Sequence, residues 1–147
     1  MAHQSTVSLN QEKDYRFAID FGAGIPVVYG DEDAPLGGAT GPTPVQLLVA
    51  AVANCLSASL LFALRKFKQS PEPIHTTASA TIDRNAENRL RIMNINVKLT
   101  LGVAGASLAH LDRVLAQFEE FCTVTQSVRQ GIPVEVEVYD SAGQRLK

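Results

Sequence analysis

Residues Pro44–Lys66, PVQLLVAAVANCLSASLLFALRK, decide how the rest of this chain is read. They lie in a run of 31 residues, Ala34 through Leu64, that carries no formal charge, and Cys55, one of two cysteines in the chain, sits near the middle. Leu48, Ala51, Val52, Ala58, Ser59 and Phe62 stand three, four or seven positions from Cys55, the spacing that gathers side chains on one helical face. Thr43 suits the N-cap, Pro44 the first turn, and Arg65 and Lys66 the negative C-terminal end. A helix apolar on nearly every side either spans a membrane or is buried in a core. Spanning takes about 20 apolar residues. The window Leu47–Leu64 is about long enough, but it contains Asn54, Ser57 and Ser59, Gln46 lies just before it, and the amphipathic segments elsewhere need an apolar partner. The expectation is a long buried central helix and no membrane span.

A chain of 147 residues suggests a single domain, 1–147, able to bury about 70% of its unfolded surface. Its 46% hydrophobic and 19% charged content is that of a soluble globular protein. A net charge of −2 gives no electrostatic ground for a nucleic-acid or anionic-membrane partner. The polar start, MAHQSTVSLN, lacks a basic-then-apolar segment, so the expected location is cytoplasmic. Two cysteines 67 positions apart do not make a disulfide scaffold in such a chain, and any pairing between them points to chemistry.

Before the central helix, Thr6–Leu9 alternates weakly. Asn10–Asp14 has turn composition, and Tyr15, Phe17, Ile19 and Phe21 alternate as a second strand. Ile25–Tyr29 predicts a third, and Gly30–Pro42 a Gly/Pro/acid-rich loop. After the break at Ser70–Pro73, Thr76–Asp83 reads as a strand and Asn85–Asn88 as a turn. In Arg91–Leu101, Met93, Ile95, Val97, Leu99 and Leu101 share one face, the pattern of a half-buried antiparallel strand. Ser107 is a good cap for a second helix, whose apolar stripe is Leu108, Leu111, Leu115, Phe118 and Cys122. This places Cys122 at that helix's C-terminal end, with a further helical turn to Gly131 and a last strand carrying Ile132, Val134, Val136 and Val138. The expected order is βββ-α-ββ-α-β, an α+β domain with antiparallel sheet and helices gathered on one side.

Both cysteines fall on apolar helical faces, and if the two helices pack through those faces the sulfurs can approach. The plainer reading is that free cysteines are small buried hydrophobes. For Cys55 to react it must ionise, and burial opposes that. In mid-helix it gains little from its own N-terminus, so the expectation is a side-chain cation, with Lys13, Arg16, Arg65 and Arg129 as candidates. His3, His75 and His110 share no ligand spacing with each other or with the cysteines, so no metal site is expected. No phosphate-loop, dinucleotide or serine-elbow motif occurs.

The segments GPTPVQLLVAAVANC (Gly41–Cys55) and FCTVTQSVRQGIPVEVEV (Phe121–Val138) resemble the family of osmotically inducible and organic hydroperoxide resistance proteins, OsmC/Ohr. The signature is Gly-Pro-x-Pro, Leu-Leu-x-Ala-Ala with its spacing to the first cysteine, then Cys-x-Val-x-x-Ser and Gly-Ile-Pro-Val. The resemblance implies an OsmC-like fold, an intertwined homodimer with two interface sites, and a thiol-dependent peroxidase without metal or organic cofactor. By similarity Cys55 attacks an organic hydroperoxide and becomes a sulfenic acid, Cys122 resolves it to a disulfide, and a cellular dithiol reduces that. The best-known members carry a glutamate directly after the second proline, paired with an arginine. Here Val45 and then Gln46 stand there as possible site-lining residues, and Gly30–Thr40 has no basic residue. Lys13, Arg16 and Arg129 remain as possible thiolate-stabilising groups. The alternative is a non-catalytic or redox-sensing dimer that binds an apolar ligand at its interface.

Overall fold

Helix α1 spans Pro44–Lys66, the bounds expected from its capping residues. Thr43 Oγ1 accepts from the Gln46 amide at 3.2 Å and Gln46 Oε1 accepts from the Thr43 amide at 2.9 Å, a reciprocal capping box. The structure, a computed structural model, describes residues 2–131, 134–140, 142 and 144–147. Val52, Leu56, Leu60 and Leu64, four apart on α1, are buried in one stripe. By length and composition α1 also meets the requirement for a bilayer span; that stripe, however, packs into the chain's own core.

Three strands precede α1: β1 (Ser8–Lys13), β2 (Arg16–Asp20) and β3 (Val28–Gly30), an antiparallel sheet in that order. The turn expected over Asn10–Asp14 is narrower, because Asn10–Lys13 extends β1 and Asp14, at φ 50°, reverses the chain into Arg16. The two strands after α1, β4 (His75–Arg84) and β5 (Leu90–Thr100), form a second antiparallel ladder. Asn85 Oδ1 closes their turn by accepting from the amides of Glu87 and Arg89, both at 3.0 Å. On β5, Ile95, Val97 and Leu99 face the core as the alternation requires, whereas Met93 is exposed.

The second predicted helix is divided. Gly105–Ser107 is a single 3-10 turn, α2 runs only from Leu111 to Gln117, and Phe118–Phe121 tightens into 3-10 geometry. Cys122 then takes an extended conformation and α3 begins at Thr123, ending at Gln130. Gly131 follows at φ 72°, a left-handed conformation that suits glycine. The break satisfies its own polar groups. The Cys122 amide donates to Glu119 O at 3.0 Å, its carbonyl accepts from the Gln126 amide at 3.0 Å, and Gln126 Nε2 donates to Glu119 O at 3.1 Å. Cys122 is therefore not the end of the second helix but the N-cap of the third.

The core lies between α1 and these short helices, where Val114, Phe118 and Cys122 meet the α1 stripe, with β5 closing one side. The expected last strand is only partly open to comparison. Ile132 and Pro133 lie outside the described residues, and Val134, Val136 and Val138 are exposed and outside any strand. Among the described residues, the pairing of this segment is with the chain's own tail: the Leu146 amide donates to the Val138 carbonyl at 2.7 Å and Tyr139 bridges Arg145, one isolated antiparallel bridge and not the ladder that the alternation predicts. Among the described residues the architecture is α+β, two antiparallel sheets and three helices, with the β4–β5 ladder packed against the long helix α1.

Candidate active site

The α1 stripe and the start of α3 converge on two sulfurs. Cys55 lies at the edge of the stripe, half-buried, and Cys122 is wholly buried, with 0% of its surface exposed. Both are free thiols, close enough for one to hydrogen bond to the other. Cys122 Sγ lies 3.0 Å from the hydroxyl of Thr125, itself buried. Ser59, one turn along α1 from Cys55, also reaches the Cys122 sulfur through its hydroxyl.

The backbone contributes as much as the side chains. The amides of Val124 and Thr125, in the first turn of α3, lie near enough to Cys55 to favour its thiolate, and the Thr125 amide does the same for Cys122. First-turn amides have no partner within their helix and carry the positive end of its dipole, so a thiolate placed there is stabilised. Cys55 thus receives from another helix the benefit that mid-helix placement denies it in its own.

The two thiols titrate as a pair. Burial and then the hydrogen bond to Cys122 push the Cys55 thiol above its ordinary value, against the pull of the Val124 and Thr125 amides. Burial also opposes ionising Cys122, but hydrogen bonds from Cys55, Thr125 and Ser59 outweigh it and hold that thiol below its ordinary value. The physical content is two neighbouring thiols whose titrations are linked, Cys122 the more acidic and Cys55 the less.

Among the described residues, none of the four candidate cations contacts either sulfur. Arg16 donates from Nε to Glu12 Oε2 at 2.8 Å and from Nη1 to Thr40 Oγ1 at 2.7 Å, and its guanidinium lies 4.1 Å from the centre of the Tyr29 ring. Lys13 is exposed at the end of the β1–β2 hairpin. Arg65 pairs with Glu72, and Arg129 Nη2 donates to Glu119 Oε1 at 2.7 Å. Val45 and Gln46 lie about 15 Å up the α1 axis from Cys55, at 1.5 Å per residue. There Gln46 serves the capping box, and both line a groove of about 660 Å³ between α1 and β4. The residues that do surround the sulfurs, Ser59, Val124 and Thr125, escape a reading that seeks charge. A cysteine followed at the third position by a hydroxyl residue, the N-cap and N3 spacing, was the available signal.

The OsmC-like protein family matches residues 37–137, which include both cysteines and the whole of α1. The chain belongs to that family. Solved structures share the fold of this OsmC-like chain. An OsmC-like protein from Mycoplasma pneumoniae superposes with a TM-score of 0.71 at 12% identity, covering 90% of this chain and 91% of that one. An organic hydroperoxide resistance protein from Legionella pneumophila gives 0.67 at 14% identity, with 88% and 91% covered. The organic hydroperoxide resistance protein OhrB of Bacillus subtilis gives 0.63 at 14% identity, with 86% and 91% covered. No curated protein matches the sequence. At such identities the superpositions speak for the fold of the OsmC-like chain, and the chemistry rests on its own residues.

Proposed function

We propose that this OsmC-like protein is a two-cysteine peroxidase that reduces organic hydroperoxides. The observation that carries the reading is the meeting of Cys55 and Cys122 at the N-terminus of α3. A hydroperoxide must reach the attacking sulfur, and Cys55 is the half-exposed member of the pair. Its thiolate attacks the distal peroxide oxygen, the O–O bond breaks, and the departing alkoxide takes a proton to leave as the alcohol. Cys55 becomes a sulfenic acid. The Cys122 thiolate then attacks that sulfur, hydroxide leaves and is protonated to water, and a disulfide forms. A dithiol reductant of the cell returns two electrons and two protons by thiol–disulfide exchange.

The shared proton reconciles access with acidity. Cys122 holds the charge more easily, yet transfer of one proton between these neighbouring thiols places it on Cys55, where the peroxide arrives. Two features support a homodimer as the working unit. Phe62 on the outer face of α1 is 58% exposed, with the exposed Ala58 one turn away, and Val134, Val136 and Val138 are uncovered. A cytoplasmic location accords with free thiols kept reduced.

The test is a thiol count on reduced protein after cumene hydroperoxide. Both thiols are expected to disappear, with no loss in Cys55→Ser, while Cys122→Ser leaves a Cys55 sulfenate or an overoxidised product visible by mass spectrometry. Two thiols persisting through excess peroxide refute the proposal. One observation favours the second reading, a redox-sensing or non-catalytic binder of apolar ligands: among the described residues no side-chain cation contributes to the pair. Ligand affinity indifferent to Cys55→Ser, with no thiol loss, selects that reading.

A further inference from the structure

The Thr125 hydroxyl occupies an unusual position for a helical threonine. Such a side chain ordinarily turns back to a carbonyl three or four residues earlier in its helix. Thr125 is the third residue of α3, so those earlier residues, Phe121 and Cys122, lie before the helix begins. Among the described residues its hydroxyl instead meets the Cys122 sulfur, at 3.0 Å. A hydroxyl both donates and accepts. It therefore accepts from Cys122 as a thiol and donates to Cys122 as a thiolate, without moving its oxygen.

We propose that Thr125 is a positioning residue for the thiol pair: its hydroxyl holds negative charge on the Cys122 sulfur and so sets the rate at which Cys122 closes on an oxidised Cys55. This deepens the peroxidase reading and rests on it for its biological meaning. Two requirements of the reaction explain why such a group is needed. In the first step the charge belongs on Cys55 and the proton on Cys122; in the second the charge belongs on Cys122. A lysine or arginine beside Cys122 would favour only the second state. A hydroxyl serves both.

The surroundings leave this role to neutral groups. Cys55 and Ser59 face the Cys122 sulfur from α1, and Thr125 faces it from α3. The charged side chains on the flanking 3-10 turn and on α3 include Glu119 and Arg129, which pair with each other at 2.7 Å and are partly exposed. A hydrogen bond to a charged sulfur is worth enough that its loss slows a thiolate reaction about tenfold or more.

The substitution Thr125→Val keeps the side-chain shape and the backbone amide and removes only the hydroxyl, while Thr125→Ser keeps the hydroxyl. Reduced protein is treated with diamide, a two-electron azo oxidant. It adds to the Cys55 thiolate and is displaced as the hydrazine when Cys122 closes the disulfide. Closure is followed by mass spectrometry across pH, alongside ultraviolet titration of the thiolate. Thr125→Val is expected to close about tenfold more slowly at neutral pH, to shift the closure profile to higher pH, and to form the Cys55 adduct no more slowly than the parent. Thr125→Ser is expected to restore closure. Equal closure rates in Thr125→Val and the parent, or equally slow closure in the serine and valine variants, overturn the proposal. Because diamide starts the reaction, these outcomes stand apart from whether organic hydroperoxides oxidise the protein.

Discussion

Leu56 and Leu64 lie on the same α1 stripe and are 5% and 0% exposed, yet they stand at different distances from the thiols. Leu56 adjoins Cys55, while Leu64 is nine positions away, about 13 Å along the axis at 1.5 Å per residue. Truncating either to alanine removes three carbons from water-free packing, about 2.4 kcal/mol at 0.8 kcal/mol per group. The cavity left behind raises the total to about 3–5 kcal/mol. For a chain of this length that loss corresponds to a melting temperature lower by roughly 6–20 °C. The two variants are expected to match in stability and to part in function. Leu56 also lines a cavity of about 590 Å³ that reaches Thr125, so its loss lets α1 shift against α3 where the sulfurs meet. A misplacement of about 1 Å there costs on the order of a hundredfold in rate. Thermal unfolding and the rate of disulfide closure, measured on both variants well below their transitions, decide the matter. Equal slowing of closure in Leu56→Ala and Leu64→Ala, or a stability loss below about 1 kcal/mol in either, against the cavity cost expected for a packed core, would refute the claim that this stripe both holds the core and sets the site.

Two further predictions concern the loop that leads into α1. Asp31 accepts from Thr40 Oγ1 at 2.7 Å and from the amides of Thr40, Glu32 and Gly38, and these bonds, the Thr40 hydroxyl foremost, lower its pKa from 3.8 to about 2. A carboxyl depressed by folding stabilises the fold fully above its unfolded value and loses that contribution as pH falls through the folded value. Asp31→Asn is therefore expected to lower the urea midpoint at neutral pH and to converge on the parent near pH 2; a difference that stays constant with pH would contradict this origin. A Cβ at Gly41 would sit 1.8 Å from the Tyr29 carbonyl oxygen, a clash between two backbones that no rotamer relieves. Gly41→Ala is expected to displace the Gly-Pro-x-Pro turn and to fold poorly, and normal expression with an unchanged melting temperature would show that the loop can move aside.

Much of the architecture was legible in the sequence because its periods are local properties. The bounds of α1 follow from Thr43, Pro44, Arg65 and Lys66, and the core face of β5 follows from the alternation of Ile95, Val97 and Leu99. The cysteine pair was legible too, through the motif around each residue. What misled was continuity: Leu108, Leu111, Leu115, Phe118 and Cys122 keep helical spacing although the backbone changes geometry twice along them. Spacing records which face is apolar, and a 3-10 turn and a fresh helix can preserve that face while changing where the amides point.

The linear order of residues thus determined the apolar helix, the strands with a core face and the presence of two thiols on apolar surfaces. Only the tertiary structure decided what stabilises charge on those thiols. A search along the sequence looks for a basic side chain, and Lys13, Arg16, Arg65 and Arg129 were the natural candidates. Arg16, Arg65 and Arg129 instead pair with Glu12, Glu72 and Glu119 within the chain. The amides of Val124 and Thr125 take their place, and a peptide N–H has no letter in a sequence. Its electrostatic effect exists only once a helix has begun beside the group it serves.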